Sequence, residues 1–195
     1  MKKDNQLKEI QEYVYNIFHH DVTGHDFYHM KRVATTAKKI AIDEGADPFL
    51  CEASAWLHDI GDRKLFTNPT ESIAEMNAFL ATINISNDQI IEINDIISTV
   101  SFQKGLMPDS IEGKIVQDAD RLDAIGAIGI ARTFQFGGAN NQVIHESESS
   151  NTSIQHFYDK LLKVKDLIHT ASAKKTAEER HAFMEQFLKH FYSEW

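Results

Sequence analysis

The 195-residue sequence predicts an all-α protein. Apolar residues recur at three- and four-residue spacing along most of the chain, and no stretch alternates as a strand would. Its three prolines, Pro48, Pro69 and Pro108, each stand near an expected helix start. The first helix is read from Leu7, Ile10, Tyr13, Val14, Ile17 and Phe18, and the second from Met30, Val33, Ala34, Ala37, Ile40 and Ala41. Asp47-Pro48 opens a third, with an acidic N-cap followed by proline in the first turn, where a missing N–H costs nothing. The apolar run to Leu57 carries that helix to a stop at Gly61, so His58 and Asp59 are expected in the last turn of a buried helix.

Further helices are expected at Glu71–Thr82, from Asn87 to about Val100, from Asp109 to about Asp123, over Ser153–His169 and over Lys174–Tyr192. The glycines of Ala124–Ala131 follow no strand and have the wrong spacing for a dinucleotide fingerprint, so they read as close helix packing. Gly137 to Ser153 is the loosest segment and the best candidate for a mobile loop. Beyond it, Phe157, Leu161, Leu162, Val164 and Leu167 need a core to pack on. The expectation is one helical domain over residues 1–195, with C-terminal helices from about residue 153 packed on it. The aromatic end, with Phe183, Phe187, Phe191, Tyr192 and Trp195, has helical spacing and reads as core or subunit contact.

With 20 basic against 29 acidic residues the net charge is −9, and no basic block could follow a nucleic-acid backbone. A polymeric nucleic acid is therefore disfavoured as a partner. A small anionic substrate remains compatible if a metal and a few placed Lys or Arg residues reverse the sign locally. Cys51 is the single cysteine, so no intrachain disulfide is possible, and its apolar neighbours suggest a buried thiol in a reducing compartment. The N-terminus lacks the apolar core of a signal peptide and no apolar run reaches membrane-spanning length, which points to a soluble cytoplasmic protein with no membrane partner.

Two imidazoles, His29 and His58, and the carboxylates of Asp59 and the Asp118–Asp123 run make a mixed nitrogen and oxygen set suited to a divalent metal with open positions. Neighbouring side chains on a helix diverge by about 100°, so His58 and Asp59 can share an ion only at a helix flank or end. The alternative is a buried histidine bonded to its neighbour's carboxylate. His25 and His29 share a helical face, but the glutamate of a His-Glu-x-x-His motif is absent. His19 and His20, at the preceding helix end, read as helix-dipole partners. Asp118 and Asp120 lie about 200° apart on a helix, so one is a ligand candidate and the other a supporting or capping residue.

The combination His29-x-x-Arg32-Val33, His58-Asp59-Ile60-Gly61-Asp62 and Asp118-Ala119-Asp120-Arg121-Leu122-Asp123, covering Gly24 to about Phe136, resembles the HD-domain metal-dependent phosphohydrolase superfamily. The resemblance implies an all-α HD-domain helical bundle with one metal held by His29, His58, Asp59 and Asp120. It chooses Asp120 over Asp118 because the family's last ligand precedes the basic residue of the Asp-Arg-Leu motif. Two-metal members place two further histidines between the His-Asp pair and the final aspartate, and no histidine lies between Asp59 and Asp120. Asp62 resembles the catalytic acid position of family nucleotidases. His25, Asp26 and Asp118 are taken as supporting residues, with Arg32 paired to Asp26 or to the ligand shell.

Phosphate neutralisation requires donors, for which Arg63, Lys64, Lys104 and Arg121 are the candidates, Lys104 beside a Phe102 able to stack on a base. The expected activity is phosphohydrolysis of a small phosphorylated metabolite, foremost a nucleotide. Diphosphate release from a triphosphate competes with 5′-monophosphate cleavage. Manganese is the favoured ion, with magnesium, cobalt, nickel, iron or zinc as substitutes. The alternatives are a non-catalytic module sensing metal or nucleotide, and a guanosine tetraphosphate hydrolase.

Overall fold

The structure is a computed structural model that describes residues 2–21, 24–100 and 107–195. The described residues form helices and connecting turns, with no strand among them. In chain order the helices are α1 (Lys3–Phe18), α2 (Phe27–Glu44), α3 (Pro48–Leu57), α4 (Pro69–Thr82), α5 (Asn87–Val100), α6 (Ile111–Asp123), α7 (Gly126–Ala139), α8 (Ser153–Asp159) and α9 (Ala171–Glu194). A 3-10 helix, Leu161–Leu167, links the last two.

The middle of the fold is α3, which is apolar almost all round and buried at every residue from Phe49 to Leu57, as expected of a helix enclosed by others. Helices α2 and α6 pack against it and against each other, α5 covers α3 and α6, and α9 reaches α2, α6 and α7. Ile10, Met30, Leu57, Leu80, Ile93, Leu122, Phe157 and Met184 belong to one buried apolar cluster, so the C-terminal helices share the core of the preceding ones. Cys51 is fully buried, and burial pushes its thiol up to about 12. No described helix is long and apolar enough to cross a membrane.

Local signals act where the sequence suggested, with some corrections. Asp47 caps α3, its carboxylate accepting from the amides of Phe49 at 2.8 Å and Leu50 at 3.2 Å. The helix then stops at Leu57 rather than at Gly61. Ile60 N–H bonds Leu57 O and Asp62 N–H bonds Asp59 O, a pair of tight turns that places His58 at the C-cap and Asp59 just beyond it. Gly61, at φ +82°, closes these turns, and a Cβ there would sit 2.7 Å from Ile73 Cγ1, so both conformation and space demand glycine.

Helix α6 starts at Ile111 after an N-cap at Ser110, two residues later than expected. The glycine-rich stretch after it forms α7, where Gly126 abuts Arg180 of α9. The helix expected over Ser153–His169 breaks at Lys160 and continues as the 3-10 segment, which buries Leu161 and Val164 at its own three-residue spacing. Lys104 and Phe102 lie outside the described residues.

Of the two roles expected for Asp118, the structure gives it the capping one and not support of the metal candidates. Its fully buried carboxylate accepts from His169 N–H, Thr170 N–H and Thr170 Oγ1 at 2.8 to 3.1 Å, which satisfies amides at the start of α9. Glu44 of α2 accepts from Ser172 N–H at 2.7 Å on the same turn, a bond that holds its carboxyl below the usual range. Asp118→Ala leaves these donors unpaired. It is expected to lower the unfolding free energy by about 1–3 kcal/mol per orphaned buried group, read as a drop in Tm. Metal affinity should be unchanged; a loss of affinity at full stability would return Asp118 to the site.

Candidate metal centre

Packing of α2, α3 and α6 brings four side chains from three distant segments together. His29 comes from the first turn of α2, whose N-cap Asp26 accepts from His29 N–H at 2.7 Å. His58 and Asp59 come from the turn after α3, and Asp120 from the last turn of α6. His29 Nε2 lies 3.8 Å from Asp59 and 3.5 Å from Asp120, and His58 Nε2 lies 3.4 Å from Asp59 and 3.7 Å from Asp120. His29, His58 and Asp120 each offer one ligand atom, all within 4.8 Å of one another.

The tautomers follow from the opposite ring nitrogens. His58 Nδ1 lies 2.8 Å from the Ala55 carbonyl, and His29 Nδ1 lies 2.8 Å from Asp123 Oδ2, so in each ring Nδ1 donates and Nε2 is the atom turned toward the carboxylates, free to take a cation or a proton. Both Nε2 atoms are buried without a hydrogen-bond partner. Two orphaned buried imidazole nitrogens facing two carboxylates are costly unless an ion sits among them, so the residues present fit a divalent metal.

Asp123 was noted in the sequence but given no role, and the structure makes it the brace of the site. Arg32 grips it from Nε at 2.7 Å and from Nη2 at 2.9 Å, and Arg132 Nη1 reaches its Oδ2 at 2.6 Å. Its carboxyl is held well below the usual range: burial opposes this, but the bonds from His29 and Arg32 outweigh burial. Spacing carried the signal, since residues three apart share a helical face, and Asp123 follows Asp120 by three while Asp118 faces away. Arg32 therefore pairs with the ligand shell, not with Asp26.

On the outer side His25 Nδ1 bonds Asp59 Oδ2 at 2.8 Å, a contact that raises the histidine's proton affinity. His25, His29 and Asp59 make a second overlapping group of ligand-type atoms. Burial disfavours a proton on His58, yet Asp59 and Asp120 outweigh it and push its pKa up to about 9. Burial likewise opposes the ionised form of Asp59, but His58 and His25 hold that carboxyl well below its usual range.

The cluster lies at the base of an open cleft of about 800 Å³ whose walls include Asp62, Lys64, Arg121, Arg132 and Lys160. Asp62 accepts from the Lys64 amide at 2.8 Å. Arg121 donates from Nη1 to the Leu167 carbonyl and lies 2.9 Å from His169 Nε2. Of the basic residues named from sequence, Lys64 and Arg121 line this cleft, while Arg63 lines a neighbouring one. Arg132 and Lys160 were missed. Arg132 stands on α7 and Lys160 at the break after α8, and only the tertiary packing brings both into one cleft with Asp120.

Metal binding should displace the proton that the carboxylates hold on His58. Apparent metal affinity is then expected to fall by about tenfold per pH unit as pH drops below about 9, and to level off above it, in titrations of the chelated protein. Asp123→Asn should weaken metal binding by about 10–100-fold while circular dichroism confirms the fold. Unchanged affinity would remove Asp123 from the site.

A family model for the HD domain matches residues 26–125, which contain all four clustered residues. The chain is 42% identical to the uncharacterized protein YpgQ of Bacillus subtilis over 193 residues, covering 97% of this chain and 93% of that protein. A crystal structure of B. subtilis YpgQ in complex with ADP superposes with a TM-score of 0.85 at 38% identity, over 96% of this chain and 97% of that one. An HD-superfamily hydrolase from Bacillus thuringiensis also gives a TM-score of 0.85 at 38% identity, over 100% of this chain and 98% of that one. The motifs, the orphaned imidazoles and these likenesses converge: the chain belongs to the HD domain family and is an HD-superfamily hydrolase.

Proposed function

We propose that the protein is a metal-dependent phosphohydrolase acting on nucleotides, with hydrolysis of a nucleoside triphosphate to monophosphate and diphosphate as its main reaction. The observation that carries this reading is the wall of the cleft. In a chain of net charge −9, Lys64, Arg121, Arg132 and Lys160 all line the cleft that holds His58, Asp59 and Asp120. Four cations suit several phosphates better than one. The ADP complex of YpgQ supports a nucleotide as the occupant.

His29, His58, Asp59 and Asp120 would hold the ion, manganese by preference. Bound there, a divalent cation acts as a Lewis acid toward a phosphoryl oxygen and lowers the pKa of an attacking water. The side chains supply the rest. The basic wall draws in the polyphosphate and offsets the charge that develops on the departing diphosphate. Asp62, on the same wall, accepts the proton of the water as its oxygen bonds to phosphorus and the bond to the bridging oxygen breaks. His25, bonded to Asp59, keeps that carboxylate turned inward.

The test is phosphate and diphosphate release from a panel of nucleoside mono- and triphosphates after chelation and reconstitution with Mn²⁺. Diphosphate release should vanish in His58→Ala. In Asp62→Asn, kcat should fall by about 10²–10⁴ with KM little changed. Release of phosphate from monophosphates alone would favour the 5′-nucleotidase reaction. Silence across the panel with nucleotide still bound would favour a sensing module.

A further inference from the structure

The metal cleft opens sideways into a second space of about 650 Å³, the two sharing His25, Lys64, Leu65, Ala124, Arg132 and Lys160 as walls. This arm ends among Phe136, Gln142, Asn151 and His156. None of its lining residues is acidic, whereas the neighbouring cleft on the opposite side of Lys64 carries Asp62 and Asp95. The arm thus combines basic and neutral groups, whereas the other cleft mixes Arg63 and Lys64 with two carboxylates.

Phe136 gives the arm its chemistry. On the same helix Phe134 packs against Phe157 and Phe187, but Phe136 is 56% exposed. An aromatic face left open on the wall of a cleft is a stacking platform for a flat ring. On the same lining, Gln142 Nε2 donates to Asn151 Oδ1 at 2.9 Å, which commits one group of each amide and leaves Gln142 Oε1 as acceptor and Asn151 Nδ2 as donor. The segment carrying them is anchored by Gln142 N–H to Gly137 O at 2.8 Å, Ser153 N–H to Val143 O at 3.1 Å and Ile154 N–H to Ile144 O at 3.0 Å. The stretch that looked loosest in the sequence is thus the far wall of the arm.

We propose that this arm receives the nucleoside end of the substrate, with the base stacked on Phe136 and its edge toward the Gln142–Asn151 amide pair. The inference rests on the nucleotide reading above and adds where the base goes. Stacking on Phe136 accepts any flat ring, so preference among bases is left to the Gln142–Asn151 pair.

Phe136→Ala is the first test, in the metal-loaded full chain, with three readouts: KM for a nucleoside triphosphate, ADP affinity by calorimetry, and the inhibition constant of inorganic tripolyphosphate. The side chain is exposed, so the fold should survive. KM and the ADP dissociation constant are expected to rise by about 5–100-fold, the range that loss of one base stack implies. Tripolyphosphate inhibition should not change, and Phe136→Trp should restore nucleotide affinity. Thr70→Trp, which crowds the opposite cleft, should leave all three readouts as in the wild type. Unaltered ADP affinity in Phe136→Ala, or a rise in KM produced by Thr70→Trp instead, overturns the assignment of the arm alone. Phe136-dependent ADP binding without turnover overturns the hydrolytic reading and keeps the arm. No ADP binding by the wild type overturns both.

Discussion

The bond between His29 Nδ1 and Asp123 is the contact on which the site depends. It joins the first turn of α2 to the end of α6, and Arg132 draws α7 to the same carboxylate. Without it neither the tautomer nor the orientation of His29 is set, and Nε2 is not presented to Asp59 and Asp120. A buried carboxylate is costly on its own. Here two guanidiniums and an imidazole surround it, so its charge is matched where it sits.

That brace allows the other face of His29 to remain unsatisfied. The fold leaves two buried imidazole nitrogens without hydrogen bonds, opposite two carboxylates. The same carboxylates raise the affinity of His58 for a proton. Proton and cation thus compete for one place, and the stability of that place is supplied by residues outside it: Asp123, Arg32, Arg132 and the Ala55 carbonyl.

The electrostatic arrangement makes an acidic chain compatible with the anionic substrate proposed above. Net charge describes the far field, but the cleft beside the ligand cluster gathers Lys64, Arg121, Arg132 and Lys160 among its lining residues. Some of these cations also hold structure. Arg132 bonds Asp123 and the Gly24 carbonyl, and Arg121 bonds the Leu167 carbonyl. The basic surface of the cleft is therefore positioned by the same contacts that close the fold around the site.

What the sequence by itself determined is what a few consecutive residues encode. The helical period and the Asp47-Pro48 start were legible because capping and periodicity are local, while the set His29, His58, Asp59 and Asp120 came from the resemblance of the motifs to a family and not from spacing. Local reasoning failed where a partner lies far along the chain. Asp118 looked like a supporting residue until α9 presented the amides of His169 and Thr170, about fifty positions later, to its carboxylate. Arg132 and Lys160 carry no motif, and Phe136 looks like one more apolar residue of a helix. Only tertiary structure decided which of these face the metal cluster and which face the core, because a side chain's charge and shape act through space while the sequence orders residues along a line.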